Sequence, residues 1–252
     1  MIVVGRSDRA KKVYKEVVRW ATQELIDDED IIVVVGGDGF LLGSANKHGL
    51  DKTYIPINGG HMGFLLNDAY ADGMIDCDPG EDIRDQNWMV REFPTLVAHF
   101  DDGTSDFAIN DVYIERSSGQ TARVSIKVDG SCLVSKMVCD GAIVSTPLGS
   151  TGYNLSAGGP VVHPLNKNII VIPNNAHYPT FKPVVLPSTS KVLLTAEDTE
   201  FRPVRIVTDG RTHENVTRVN IGFGKEKLRL GYFNGHNFTR RLVKKILNRR
   251  GG

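Results

Sequence analysis

The chain has 252 residues, 40% of them hydrophobic and 24% charged, so it is long enough to bury one large core or two smaller ones. Thirty basic residues balance thirty acidic ones, and this zero net charge gives no support for a nucleic-acid or membrane partner. Three cysteines without Cys-x-x-Cys spacing argue against a disulfide framework or a zinc site, and no apolar stretch approaches the ~20 residues of a membrane helix. We therefore expect a cytoplasmic protein with reduced thiols.

The first part of the chain alternates strands and helices. After a short apolar strand, the spacing of apolar residues over 9–27 predicts an amphipathic helix. The β-branched run Ile31–Val35 is typical of a strand covered on both faces, as in a parallel sheet. A Gly-rich turn, a helix over 40–48 and a strand over 54–57 follow. Residues 1–88 are therefore predicted to form an α/β domain.

The pattern changes near residue 88, where short alternating segments replace long helical ones. Asp-Gly turn signals at 102, 129 and 209 separate these segments. The predicted strands are Thr95–Phe100, Phe107–Glu115, Ala122–Val128, Ala142–Ser145, Lys191–Thr195, Arg205–Thr208 and Thr217–Gly222. Residues 89–236 are therefore predicted to be mostly β. Helical spacing from Phe238 to Arg250 predicts that 237–252 form a helix returning to the first domain.

The first motif is the turn Gly36-Gly37-Asp38-Gly39, which follows a buried strand and opens a helix. Such glycines let backbone N–H groups converge on a phosphate, and the helix N-terminus adds its positive end. A carboxylate there needs a reason: Asp38 either accepts a proton from an attacking hydroxyl or holds a magnesium ion. An ordinary Asp-Gly turn with a helix cap is the alternative. The spacing matches neither a dinucleotide GxGxxG nor a Walker P-loop.

A second Gly-rich turn, Asn58–Leu65, follows the next strand. Because ligands of open α/β sheets bind beyond the carboxyl ends of the strands, we expect both glycine turns to line one crevice.

The longest motif runs from Asp140 to Pro160. Nearly every residue from Ser145 to Gly159 is small, hydroxylic or an amide, which suits a polar ligand with ribose and phosphate oxygens better than a core. Tyr153 offers an aromatic face to a base ring. A flexible Ser/Gly linker is the alternative. A nucleophilic serine is disfavoured because no GxSxG sequence is present.

The pair Asn110-Asp111 interrupts an alternating strand, which is unfavourable unless the polar groups find partners. Asn can form hydrogen bonds with an amide or with the edge of adenine, and Asp can accept hydrogen bonds from ribose hydroxyls. A bulge or strand end is the alternative.

These segments, in this order, resemble the NAD kinase family. The family's GGDG turn matches Gly36–Gly39, its Asn-x-Gly-x-x-Gly-Phe-Leu segment matches Asn58–Leu65, and its Asn-Glu pair matches Asn110-Asp111. The family's long Asp-Gly…Ser-Thr-Pro…Ser-Ala-Gly-Gly-Pro stretch matches Asp140–Pro160 and is the most specific part. The GGDG turn alone is shared with lipid kinases.

The resemblance implies an α/β domain followed by a β-sandwich-like domain, with the site between them, in a homodimer or homotetramer. It also implies phosphoryl transfer from ATP or polyphosphate to the adenosine-ribose 2′-hydroxyl of NAD, or of NADH, with Mg²⁺ or another divalent metal whose ligands are unknown. Asp38 would be the catalytic carboxylate, and Asp140 would contact the nicotinamide end. The implied substrate- and nucleotide-binding residues are Gly37, Gly39, Phe40, Asn58, Phe64, Asn110, Asp111, Asp140, Ser145, Thr151, Gly152, Tyr153 and Ser156.

Three departures from the family pattern are visible. Asp111 replaces the usual Glu and shortens its reach by one methylene, Gly152 replaces the usual Ala, and the segment 172–179 replaces a Pro-His-Ser-Leu version. Two alternative functions stay open at this point: a non-catalytic NAD(P)-binding regulatory protein, and a lipid kinase that shares the GGDG turn.

Overall fold

A computed structural model describes residues 1–20, 27–59, 63–68, 88–233 and 236–248. The end of the helix predicted over 9–27, part of the second Gly-rich turn and Cys77 lie outside the described residues. The contacts divide the chain into a first unit, Met1–Phe93 with Glu226–Gly252, and a second unit, Pro94–Lys225.

The first unit is built on parallel strands, as the continuous apolar run Ile31–Val35 predicts. Its elements are β1 (Ile2–Val4), α1 (Asp8–Trp20), β2 (Ile31–Gly36), α2 (Asp38–His48), β3 (Thr53–Asn58), the start of β4 (Trp88–Phe100), the end of β15 (Arg218–Phe233) and α4 (Phe238–Asn248). The strands β1, β2, β3 and β15 lie side by side in parallel.

The core of this unit forms where α1 covers the sheet. Val13 and Val17 of the helix pack against Val33, Val35 and Ile57, all of them buried. The C-terminal helix α4 packs through Phe238, whose ring centroid is 5.8 Å from that of Phe93 and 5.0 Å from that of Tyr232. The predicted return of the C-terminal helix to the first region is confirmed.

The second unit is a sandwich of two antiparallel sheets. Its further elements are β5 (Ser105–Ala108), β6 (Asp111–Arg116), β7 (Ala122–Val128), β8 (Ser131–Cys139), β9 (Gly141–Ser145), a 3₁₀ turn (Gly149–Thr151), α3 (Tyr153–Ser156), β10 (Asn168–Asn174), β11 (Val184–Pro187), β12 (Val192–Glu197), β13 (Val204–Thr208) and β14 (Arg211–His213). One six-stranded sheet has the order β11-β10-β9-β6-β13-β14, and β15, β12, β7 and β8 follow one another in the other sheet.

Alternation along the strands explains how the two sheets meet. Val112, Ile114, Ala142 and Val144 of the six-stranded sheet share one buried cluster with residues such as Val124 of the opposite sheet. The intervening residues of β6 and β9 point to the other face of the six-stranded sheet. That face carries a separate cluster of Ile143, Ile170 and Ile172, covered by Tyr113, Tyr153, Ala157 and Val162.

Candidate functional site

The Gly36–Gly39 turn joins β2 to α2, and Gly37 is the N-cap residue of that helix. A Cβ on Gly36 would lie 2.6 Å from the ring of Phe40, so packing explains this glycine. No described atom lies within 4 Å of the Cβ positions of Gly37 and Gly39. These two glycines therefore leave open space beside the N-terminus of a helix, which is where an anion is stabilised.

Two backbone amides hold the carboxylate of Asp38, the first residue of α2. The Phe64 amide donates to Oδ2 at 2.8 Å, and the Leu65 amide donates to Oδ1 at 3.0 Å. One bond to each oxygen fixes the plane of the carboxylate and leaves further lone pairs on both oxygens. Asn58, at the end of β3, is 5% exposed, and Phe64 is 3% exposed. Phe64 therefore contributes its amide here, while its ring lies inside the unit.

On the second unit, polar and aromatic side chains line the face of the six-stranded sheet that carries Ile143. Asp111 on β6 pairs directly with Ser145 on β9, and both alternate onto this face together with Tyr113. The ring of Tyr153 meets that of Tyr113 edge to face, with 5.0 Å between centroids. We call this surface the outer face; it brings together the predicted residues Asp111, Ser145 and Tyr153.

Hydrogen bonds tie the loop after β9 to the Asn110 backbone. The Asn110 carbonyl accepts from the Thr146 amide at 2.9 Å and from the Ser145 hydroxyl at 3.2 Å, and the Thr146 hydroxyl donates to the Ile109 carbonyl at 2.8 Å. A Cβ on Gly149 would lie 2.7 Å from the Asn110 carbonyl carbon, so this glycine allows the close approach. These contacts show that the run is an ordered loop and not a flexible linker.

The remaining predicted residues of this loop differ in exposure. Thr151 is 4% exposed and ends the 3₁₀ turn, whereas Ser156 ends α3 and is exposed. Gly152 links the two short helical segments, and its amide donates to the Gly149 carbonyl at 2.8 Å. Asn154, which the sequence did not single out, is fully buried, and its side-chain amide donates to the carbonyls of Ser150 and Pro160.

Asp209 holds the segment around Asn110, and sequence reasoning treated it only as a turn signal. Its carboxylate accepts from the amides of Ile109, Asn110 and Asp111 at 2.5, 2.8 and 3.2 Å. Asp209 has φ of 45°, and the following Gly210 has φ of 81°, as a tight hairpin between β13 and β14 requires. The Asp-Gly pair therefore predicted the turn, but the amides that donate to the Asp209 carboxylate lie about a hundred residues earlier in the chain.

Two neighbouring buried carboxyl groups set the electrostatics of this region. Burial and, as a smaller cause, the negative charge of Asp209 together raise the pKa of Asp111 to about 7. Burial also raises the pKa of Asp209, but its three backbone N–H donors oppose that shift. Below about pH 7 we therefore assign the negative charge of the pair to Asp209 and the proton to Asp111.

Asp140 immediately precedes β9, at the end of that strand away from Ser145. It accepts from the Asn175 side-chain amide at 2.9 Å and from Arg116 Nε at 2.6 Å, and these interactions lower its pKa. Asn174 donates to the Tyr153 hydroxyl at 2.8 Å. The Asp111–Ser145 pair and Asp140 are five residue steps apart along the chain, about 16 Å at the rise of a strand.

Among the described residues, no group of three or more His, Cys, Asp or Glu side chains is close enough to hold a metal ion. In the same part of the chain, no helix has the length and apolar character needed to cross a membrane. Cys132 and Cys139 are free thiols.

With this geometry in place, comparison with known proteins identifies the chain's relatives. A family model described as the ATP-NAD kinase C-terminal domain matches residues 109–228. An NAD kinase from Cereibacter sphaeroides is 32% identical over 87% of this chain and 86% of its own length. One from Corynebacterium diphtheriae is 36% identical over 86% of this chain and 70% of its own length. The chain spans 67% of the length of a Bifidobacterium longum relative that is 34% identical.

Solved structures agree in fold. The NAD kinase from Archaeoglobus fulgidus in complex with ATP superposes with a TM-score of 0.77 at 25% identity, over 98% of this chain and 97% of that one. A yeast NADH kinase complexed with NADH gives a TM-score of 0.76 at 23% identity, over 90% of this chain and 68% of that one. The predicted fold class is confirmed, and this chain belongs to the NAD kinase family.

Proposed function

We propose that this protein is an NAD kinase that transfers the terminal phosphoryl group of ATP to the adenosine-ribose 2′-hydroxyl of NAD or NADH. The observation that carries the proposal is the Asp38 carboxylate, held through both oxygens by the Phe64 and Leu65 amides beside two glycines that leave open space. Membership of the NAD kinase family supports the same conclusion. The lipid kinase and the non-catalytic regulator are not favoured by these relatives.

In the proposed reaction, Asp38 acts as the general base. It accepts the proton of the ribose 2′-hydroxyl while that oxygen bonds to the γ-phosphorus and the bond from the γ-phosphorus to the bridging oxygen of ATP breaks. The two amides hold the carboxylate in one orientation, so the lone pair that takes the proton is directed before the substrate arrives. Gly37, Gly39 and Phe40, at the N-terminus of α2, would face the phosphates.

We propose that the outer face of the second unit binds the dinucleotide. Asn110 would contact the adenosine side, the ring and backbone around Gly152 and Tyr153 would cover it, and Asp140 would contact the nicotinamide side. Asp111 and Ser145, which are 7% and 0% exposed, would shape the adenosine side from beneath. The distance of about 16 Å between Ser145 and Asp140 suits an extended dinucleotide better than a single nucleotide. Asn58, Phe64, Thr151 and Ser156 complete the proposed set, with Asn58, Phe64 and Thr151 acting through backbone position because they are buried.

A divalent metal fits this proposal only as a shared ion. Mg²⁺ is usually held by one or two carboxylates together with substrate phosphates and water, so a dedicated protein cage is not required. As the alternative to its role as general base, Asp38 would hold this ion, which would neutralise charge on the transferring phosphate. The kinase assay also tests whether polyphosphate can replace ATP as the phosphoryl donor.

We further propose that residues 1–88 with 237–252 act as the phosphate-handling domain and residues 89–236 as the dinucleotide-binding domain, in a cytoplasmic homo-oligomer. Light scattering of the purified protein tests the oligomeric state.

The kinase assay uses NAD or NADH with ATP or polyphosphate and Mg²⁺, and an NADP-dependent dehydrogenase reports the product. Asp38→Asn should lower kcat by ~10²–10⁴-fold, the usual contribution of a general base, with the melting temperature retained. Asp30→Asn is the matched control, because its carboxylate lies at the opposite end of β2 and is 84% exposed. A folded wild-type protein that forms no product with any donor would overturn the proposal.

A further inference from the structure

The segment Gly63–Asp68 supplies the amides that hold Asp38, and several contacts fix this segment in turn. Asn67 forms backbone hydrogen bonds with Asn58 and Pro56, at 2.9 and 2.8 Å. Its side-chain amide donates to the carbonyls of Pro56 and Gly231, both at 2.9 Å, and its side-chain oxygen accepts from the Phe233 amide at 3.0 Å. One side of the segment is therefore attached to β3 and β15.

The two ends of the segment meet a single side chain from α4. Arg241 donates through one terminal nitrogen to the Gly63 carbonyl at 2.7 Å, and its other terminal nitrogen lies 2.5 Å from the Asp68 carboxylate. The Arg241 side chain is only 14% exposed, whereas Asp68 is 55% exposed. A planar guanidinium with two acceptors in fixed directions restrains both ends of the segment.

Asp38 and Arg241 also act on the same buried group. The phenol of Tyr232 is fully buried, and its pKa is raised by that burial and by the negative charge of Asp38, while the positive charge of Arg241 opposes the shift. Tyr232 packs against Phe238, three residues before Arg241 on α4. The helix, the segment and the carboxylate thus belong to one packed region of the first unit.

We propose that Arg241 is a positioning residue for phosphoryl transfer: it fixes Gly63 and Asp68, so that the Phe64 and Leu65 amides hold the Asp38 carboxylate in its reactive orientation. This inference rests on the proposed function. Arg241 itself touches neither the carboxylate nor the reacting atoms; its effect passes through the segment.

A purely structural role makes a different prediction. If Arg241 only docks α4, its removal lowers the melting temperature and leaves turnover of the folded protein unchanged. If it positions Asp38, turnover falls in protein that is fully folded at the assay temperature. Arg241→Met keeps the length of the side chain without its donors, and Arg241→Lys restores a cation that reaches one acceptor at a time. Arg240→Met is the matched control, because Arg240 is the exposed neighbour on the same helix.

Arg241→Met should lower kcat by ~10–100-fold, in line with the cost of misplacing a catalytic group by about 1 Å. The KM values for NAD and ATP should stay within about 3-fold, because the dinucleotide contacts are not altered. Arg241→Lys should recover part of the lost kcat, and Arg240→Met should match the wild type.

A double-mutant cycle with Asp38→Asn gives the sharpest test. Once the carboxylate is gone, adding Arg241→Met should not reduce the residual kcat further, although it should lower the melting temperature as it does in the wild type. A further loss of kcat in the double variant equal to that in the single variant would overturn the inference. So would unchanged kcat in folded Arg241→Met, provided the wild type is active; an inactive wild type would instead refute the proposed function.

Discussion

Replacing Asp111 by Asn should stabilise the protein at alkaline pH and much less at acid pH. Asp111 is only 7% exposed, and burial together with the charge of Asp209 raises its pKa from 3.8 to about 7. In the unfolded chain this carboxyl ionises near its ordinary pKa. Asn keeps the size and polarity of the side chain but removes the proton equilibrium.

The sign follows from counting protons. Between about pH 4 and pH 7 the folded protein keeps the Asp111 proton and the unfolded chain has lost it, so raising the pH favours unfolding. Each pH unit in this window costs about 1.4 kcal/mol, which gives an upper value of about 4 kcal/mol once the pH exceeds 7. The difference in free energy of unfolding between Asp111→Asn and wild type should therefore grow by roughly 2–4 kcal/mol from about pH 4.5 to about pH 8.

Urea unfolding of both proteins at several pH values measures this difference. Groups common to both proteins cancel, among them the carboxylates whose pKa values lie below the ordinary value, such as Asp106 and Asp140. A difference for Asp111→Asn that does not change with pH, or that shrinks as the pH rises, would refute the assignment of the proton to Asp111.

Two further substitutions test buried groups in each unit. Burial lowers the pKa of His236 to about 3, so the wild type loses stability as the pH falls from about 6.5 toward 3. The free energy of unfolding of His236→Phe, measured in urea, should therefore rise by roughly 2–3 kcal/mol relative to that of the wild type as the pH is lowered from about 8 to about 4.5. Parallel pH curves for the two proteins would contradict this. Asp209→Ala leaves three backbone amides without their acceptor, so the free energy of unfolding should fall by roughly 2–4 kcal/mol and the KM for NAD should rise ~10-fold or more. An unchanged KM in folded Asp209→Ala would show that Asp209 does not order the NAD site.

Local sequence signals predicted the elements whose determinants are local. The strand Ala122–Val128 was predicted with its observed bounds, because its residues alternate between a buried and a less buried face. The Asp-Gly pair at 129–130 predicted the next turn, where the residues have φ of 49° and 81°. The predicted strand over 107–115 was wrong in extent: β5 ends at Ala108 and β6 starts at Asp111, because Asp209 takes the amides between them.

Two strands of the second unit that lack regular alternation, β8 and β10, were missed. β8 contains shifts in its register with β7, which break the period of two. β10 is buried on both faces over Ile169–Ile172, so it reads as a continuous apolar run that fits a strand or a helix equally well.

The candidate site shows the same division between local and distant determinants. Asp38 was found because its carboxylate stands out among glycines that follow a strand. Its restraint by Arg241 could not be found, since Arg241 and Gly63 are 178 residues apart and neither belongs to a recognisable local pattern. Asp209 and its partner amides are separated by about a hundred residues and were missed for the same reason.

In both units, backbone N–H groups hold a carboxylate in place. In the first unit a carboxylate, Asp38, accepts two backbone N–H groups from a segment after β3; in the second, Asp209 accepts three from the segment before β6. The number of donors separates their consequences, since both carboxylates are half-buried. Asp209 accepts two backbone donors on one oxygen and one on the other, so it orders the segment before β6. Asp38 accepts one donor on each oxygen, which leaves lone pairs for a substrate hydroxyl. A carboxylate that is fixed but not saturated is what proton transfer to an enzyme requires.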